Sequence, residues 1–379
     1  MASDWTDAEL SFLWTLNFFL STGVVALYGW VVTRIRFDRL VPTVYGFFAA
    51  SFFMCSIEIT GAPHYHVWFN KSFYVWVSIF SLFNISVFWS FMSDLYTKEQ
   101  AGRLFPIIGA GASAGALIGP SIPTLLSEIL GTQKLLYISS SLIVLVIPIV
   151  LFLQSSKQAK ERSDFLEPIN LSQTRIGGNP FAGFRDFLTN RYLMAIGVFI
   201  VLYTAISSIL YFQQKNLLAV FDLAERTQIL GGVDWIVNIL TFVIAFFATG
   251  RLIEYFGASF TLSSVPFAMF FGLSIVVFSP VLIIVLILQV LRRAGNYAIT
   301  RPAREMLFTL VDREQRFKAK PVIDIVAYRG GDMITSWGFA ALTQGLGYGL
   351  SATAIAGAII TLFWGILGIY LGKRFHQSQ

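Results

Sequence analysis

Three ionisable residues stand where an apolar helix is expected: Asp324, Arg329 and Asp332. A charge inside a bilayer costs about 2–3 kcal/mol or more unless it is paired or wetted, so each is a candidate for contact with a solute or a coupling ion. At 100° per residue, Asp324 and Asp332 fall within about 80° of each other, and Arg329 lies about 60° from Asp332, a spacing suited to an ion pair. Gly330 and Gly331 between them permit close helix packing or a local break that turns backbone groups toward a cavity. A buried structural pair is the competing reading.

Other polar residues interrupt neighbouring apolar runs. Arg292 and Arg293, followed by Asn296, lie well inside one. Adjacent arginines cannot share a helix face, so at least one points to the interior or to water, and a guanidinium fork suits a carboxylate or a phosphate. Snorkelling toward headgroups is the alternative. Asp234, with Asn238 four residues on, suits a proton site, a partner for a basic residue across a cavity, or a helix-start aspartate facing water. Asn17, Asn84 and Gln289 are single amides, expected to hydrogen-bond between helices. In GAGASAGALIGP, Gly111, Gly115 and Gly119 recur at the spacing of close helix packing. No strand precedes that stretch and no GK[ST] follows it, so it is not a phosphate loop.

The elements that must position these residues are membrane spans. The chain has 379 residues, 56% hydrophobic and 13% charged, against about a quarter charged in soluble domains. About eleven apolar runs, from Leu10–Val32 to Thr353–Leu371, reach the roughly 20 residues that cross hydrocarbon. Those bearing the polar residues are Thr227–Thr249, Val281–Thr300 and Val322–Leu346; the glycine-rich run is Phe105–Ile129. With Lys373 and Arg374 placed inside, alternation leaves only Lys71, Lys134, Lys215 and Arg226 outside. The positive-inside rule therefore puts the C-terminus in the cytoplasm of a cytoplasmic (inner) membrane protein. The net charge of +6 is accounted for by these loops, not by nucleic acid. Cys55 is the single cysteine and is expected to be an inert buried thiol, and His64 and His66 have no carboxylate cluster to complete a metal site. No cofactor is implied.

The chain repeats itself. Lys98-Glu99-Gln100 and Arg313-Glu314-Gln315 lie 215 positions apart, as do Pro106 and Pro321. The stretch from Gly29 through Trp30, Arg34 and Arg36 loosely matches Gly250–Gly257. Two six-helix units follow, the first without its opening helix: an N-terminal bundle over 1–154 with about five spans, a central cytoplasmic loop over 155–191, and a C-terminal bundle over 192–379 with six. That is the plan of many secondary transporters.

The repeat and its charged loops, with Gly250–Gly257 as the better copy, resemble the major facilitator superfamily. Thr97–Ala101 with Arg103-Leu104-Phe105-Pro106, Arg301–Met306, Lys318-Ala319-Lys320, and Ile323–Val326 with Arg329 are similar to the bacterial and plastid ATP/ADP translocases. The resemblance implies an all-helical facilitator fold, alternating access and no chemistry on the solute. Where the translocase pattern carries a lysine, this sequence has Asp332, which points to another solute or to proton coupling. The expectation is a monomeric secondary transporter in the bilayer, moving a small, anionic solute with a proton as a possible partner. The substrate and coupling set is Arg292, Arg293, Asn296, Asp324, Arg329, Asp332 and Asp234. Lys98, Glu99, Arg103, Arg251, Glu254, Arg313 and Glu314 are expected in gating loops. Nucleotide exchange is the alternative, and a non-transporting sensor or scaffold module the alternative of another class.

Overall fold

The structure, a computed structural model, describes residues 7–34, 37–58, 66–119, 121–163 and 181–377. It is helical throughout, with no strand among the described residues. The helices are α1 (Asp7–Arg34), α2 (Phe37–Glu58), α3 (His66–Leu95), α4 (Lys98–Ile118), α5 (Ser121–Ser163), α6 (Ala182–Thr189) and α7 (Arg191–Leu218). They continue as α8 (Leu223–Ile244), α9 (Gly250–Phe278), α10 (Leu282–Gly295), α11 (Arg301–Leu307), α12 (Arg313–Pro321), α13 (Tyr328–Ala340) and α14 (Leu350–Gln377).

Nine described spans are long and apolar enough to cross a membrane. One, Gln228–Phe278, contains two of the runs expected as separate crossings. Its middle is helical up to Gly257, where a φ of 74°, open to glycine and costly for side chains with a Cβ, turns the chain. The charged segment bearing Arg329 and Asp332 is not among the nine, because its polar residues lower its hydropathy. The expected span Phe105–Ile129 is divided: α4 ends at Ile118, and residues from Ser121 onward belong to α5. The expected central loop is helical to Ser163 and again over α6, and 164–180 lie outside the described residues.

Both copies of the repeated motif begin a helix. Lys98 opens α4 and Arg313 opens α12. Thr97 closes a capping box, its N–H donating to Gln100 Oε1 at 3.0 Å and its hydroxyl accepting from the Gln100 N–H at 3.4 Å. The motif thus starts helices where loops were expected, and Pro106 falls inside α4.

The most extensive helix contacts pair α9 with α14 and α2 with α5. The first is a seam of small residues. A Cβ at Gly372 would overlap the backbone of Ser259, and one at Gly368 would lie 2.9 Å from the Leu262 carbonyl. Because lipid tails are as apolar as the helix faces, such backbone approach is what holds helices together. Gly372→Leu is therefore expected to destabilise the protein by about 1–3 kcal/mol or more, read as thermal unfolding in detergent. Gly338→Leu, where a Cβ meets nothing within 4 Å, is the matched control expected to unfold with the wild type. The bundle exterior is lined by residues such as Phe12, Phe152, Phe271 and Phe363, the apolar surface a lipid-facing protein presents.

Candidate functional site

A cavity of about 730 Å³ lies between α3, α4, α8 and the α10–α11 segment. Each wall is a stripe at helical spacing: Gly109, Ala112, Ser113 and Ala116 on α4; Gly231, Asp234, Trp235 and Asn238 on α8; Arg293, Tyr297 and Arg301 on the third. The last three are each four residues apart, and Asn296–Thr300 among them is π-helical, the single-turn widening common at functional sites. Trp89 of α3 closes the cavity with an aromatic face. The stripe Gly111–Gly115 was expected to pack against another helix. A Cβ at either would meet nothing within 4 Å, and the adjacent Ala112 and Ala116 line the cavity. The small residues that border the cavity are Gly109, Ala112, Ser113 and Ala116, not the two glycines.

Arg293 Nη1 meets Asp234 Oδ1 at 2.5 Å, joining α10 to α8 across the cavity. Asn238 donates to the Asp234 backbone carbonyl at 2.9 Å, and among the described residues the carboxylate is held by Arg293 alone. Arg301 forms no ion pair with a described residue, and its Nε has no hydrogen-bond partner. Arg292 turns the other way. It donates to Tyr203 Oη at 3.0 Å and Gln289 Oε1 at 2.8 Å, and Gln289 in turn donates to Gln214 Oε1 at 2.6 Å. Adjacent arginines thus serve opposite faces: Arg293 the cavity, Arg292 a neutral network with α7. Asn296 is buried and does not line the cavity.

Arg329 and Asp332 do pair, at 3.3 Å. Ser208 of α7 donates to Asp332 Oδ1 at 3.2 Å. Arg329 also donates to the carbonyl and hydroxyl of Ser78 on α3, and Asn17 of α1 donates to that same hydroxyl at 2.9 Å. The network ties four helices and lies apart from the cavity. Close by, Trp337 Nε1 donates to Thr15 at 3.0 Å, and Lys215 pairs with Asp7 at 2.6 Å.

Asp324 sits in neither place. With Arg304, Glu305 and Lys320 it forms a neutral buried cluster of two cations and two anions. Lys320 Nζ lies 2.6 Å from Glu305 Oε2 and 2.6 Å from Asp324 Oδ2. Arg304 lies 2.6 Å from Glu305 and 3.6 Å from Asp324. The Phe308 ring covers the ammonium at 4.2 Å.

A second cavity, about 740 Å³, brings together Glu99, Arg103, Arg251 and Glu254 with Met306 and Phe375. Those four come from two of the expected gating segments, one in each half of the chain. Glu314 instead pairs with Lys318 at 2.6 Å, and the side chains of Lys98 and Arg313 lie outside the described residues. Between the cavities Ala110, Ala245 and Ala298 pack together, and Thr249 Oγ1 donates to the Ala298 carbonyl at 2.8 Å. Among the described residues no three of His, Cys, Asp or Glu come together as metal ligands.

Of the residues singled out as a substrate and coupling set, Asp234 and Arg293 line this cavity, and Arg301, Tyr297 and Trp89 line it from outside that set. The 293–297–301 spacing carried the signal: one helical stripe with a cation at each end. Glu305 and Lys320, fifteen positions apart on separate helices, left no such signal.

Apolar crossings packed around polar cavities are the architecture of a membrane transporter. The chain belongs to the Major Facilitator Superfamily, whose family model matches residues 1–310. Among curated proteins it is similar to ADP,ATP carrier protein 1 of Chlamydia pneumoniae, 20% identical over 81% of this chain and 68% of that one. Among solved structures it is similar to the proton:xylose symporter XylE bound to 6-bromo-6-deoxy-D-glucose. The TM-score is 0.66 at 11% identity, covering 96% of this chain and 87% of that one. The human organic anion transporter MFSD10 (TETRAN) gives a TM-score of 0.64 at 14% identity, covering 94% and 83%.

Proposed function

We propose that the protein is a secondary transporter of a small organic anion, loaded in the Arg293–Arg301 cavity and carried without chemical change. Arg301 carries this reading: a guanidinium on a cavity wall inside an apolar bundle, with no carboxylate paired to it among the described residues. Such a charge is costly at membrane depth unless water or an anionic ligand meets it. Trp89, Trp235 and Tyr297 add flat faces for a planar or apolar part of the solute. The basic helix ends are read as cytoplasmic, the membrane as a bacterial inner membrane, and 1–154 and 192–379 as the two units that rock about the cavity.

Nucleotide exchange is the second reading, favoured by the Chlamydia carrier match and a cavity within the usual ligand range of about 300–1,000 Å³. The charge count argues against it. Two arginines and one aspartate give the cavity a single net positive charge, suited to a mono- or dianion more than to a triphosphate.

The test is uptake by purified protein in proteoliposomes, with labelled p-aminohippurate, succinate and ADP as probes. Arg301→Ala is expected to weaken binding of the transported probe about 10- to 100-fold, the worth of a charge-assisted hydrogen bond of about 1.5–3 kcal/mol. Wild-type affinity in Arg301→Ala would remove the assignment, and transport of ADP alone would replace it with nucleotide exchange.

A further inference from the structure

We infer that Asp234 is the empty carrier's own stand-in for the substrate's anionic group on Arg293. The inference rests on the reading of this cavity as the substrate site, and it names one feature of the substrate: a carboxylate-like group able to take two N–H donors at once.

Three observations carry it. The pair is not locked into packing: the Asp234 side chain is 56% exposed and that of Arg293 28%, whereas Glu305 and Lys320 in the neutral cluster are at 0%. The contact is single-pronged, Nη1 to Oδ1, and no other donor of Arg293 is engaged among the described residues. Among the described residues nothing else holds the carboxylate, and the Asn238 amide donates to the Asp234 backbone carbonyl instead. An incoming carboxylate that engages both prongs of the fork makes a stronger contact than the aspartate it displaces. An exposed pair of this kind is weak enough to yield.

Charge counting gives the consequence. The empty cavity holds Arg293, Arg301 and Asp234, one net positive charge. Loaded with a monoanion it is neutral. With Asp234→Asn the empty cavity would hold two uncompensated cations during closure, and the loaded one only one, the same as the empty wild type. The variant is thus impeded when it returns empty and much less when it returns loaded.

The experiment compares efflux into solute-free medium with exchange against the same external solute. Wild type, Asp234→Asn and Asp234→Glu are reconstituted in phosphatidylethanolamine–phosphatidylglycerol vesicles, with labelled p-aminohippurate, succinate and ADP as probes. Asp234→Asn is expected to bind the transported probe about two- to fivefold tighter, since a competitor worth one exposed ion pair has gone. Its ratio of unaccelerated efflux to exchange is expected to fall about tenfold or more, and Asp234→Glu to restore that ratio. Both fluxes are read in the same vesicles, so misfolding lowers them together and cannot imitate the change in ratio. An unchanged ratio, or weaker binding with both fluxes lost, would overturn the inference and leave the cavity assignment standing. A wild type that binds and moves none of the three probes would overturn both, and it is seen before any variant is made.

Discussion

Lys320→Met is expected to destabilise the protein by about 3–5 kcal/mol, the cost of breaking a buried ion pair by removing one partner. The ammonium is fully buried and sits 2.6 Å from two carboxylates, Glu305 and Asp324. Methionine fills much the same volume, so the loss is electrostatic. Two buried carboxylates would then share Arg304, which is close to one of them and 3.6 Å from the other. One carboxylate must take up a proton or draw in water. The double variant Lys320→Met with Asp324→Asn removes one charge of each sign, keeps the Arg304–Glu305 contact, and is expected to recover part of the loss. Thermal unfolding in detergent, with the amount of inserted protein followed in parallel, reads both. If Lys320→Met unfolds with the wild type, the cluster is not holding α11 to α12. The Lys318–Glu314 pair gives the contrast, because its carboxylate is open to solvent although its ammonium is buried. Glu314 is 60% exposed, and its replacement by glutamine is expected to cost at most about 1 kcal/mol.

That cluster marks where the sequence stopped being readable. Membrane spans follow from hydropathy because every backbone group in lipid must be bonded within its own helix. The repeated motif was legible as a repeat, and Lys98 and Arg313 each open a helix. Side-chain pairs on one helix were legible as well: Arg329 and Asp332, three apart, meet as their spacing predicts. Pairing between helices was not, because it depends on rotations that no local pattern encodes. Asp324 shares a face with Asp332 on an ideal helix, yet the π-helical segment Val322–Ala327 changes the phase between them; Lys320, four residues back, is a local partner of Asp324, but Arg304 reaches it from another helix. The stripe at Gly111 and Gly115 misled for a related reason. Spacing shows that a neighbouring backbone could approach, not that one does, and a Cβ at either position meets nothing within 4 Å. Asn17 and Gln289 could be expected to bond between helices, but their partners Ser78 and Gln214 came only with the fold.

On the transporter reading, Arg329→Ala is expected to reduce uptake about tenfold or more while the protein still inserts. Arg329 reaches back to Asp332 on its own helix and across to Ser78 on α3, so it joins helices from the two ends of the chain. Alternating access requires contacts between the halves to form in one state and open in the other, and differential contacts alone can bias such an equilibrium. Removing Arg329 deletes the crossing and leaves Asp332, 7% exposed, with Ser208 as its remaining hydrogen-bond donor among the described residues. Two causes of lost transport can be separated. If the damage is only the stranded carboxylate, Arg329→Ala with Asp332→Asn removes it and restores flux. If the crossing to Ser78 is what transport needs, the double variant stays inactive although its stability recovers. Arg329→Lys keeps the charge but not the fork, so it can serve Asp332 or Ser78 but not both, and an intermediate flux is expected. Wild-type uptake by Arg329→Ala in proteoliposomes would show that this network holds helices together and takes no part in moving solute.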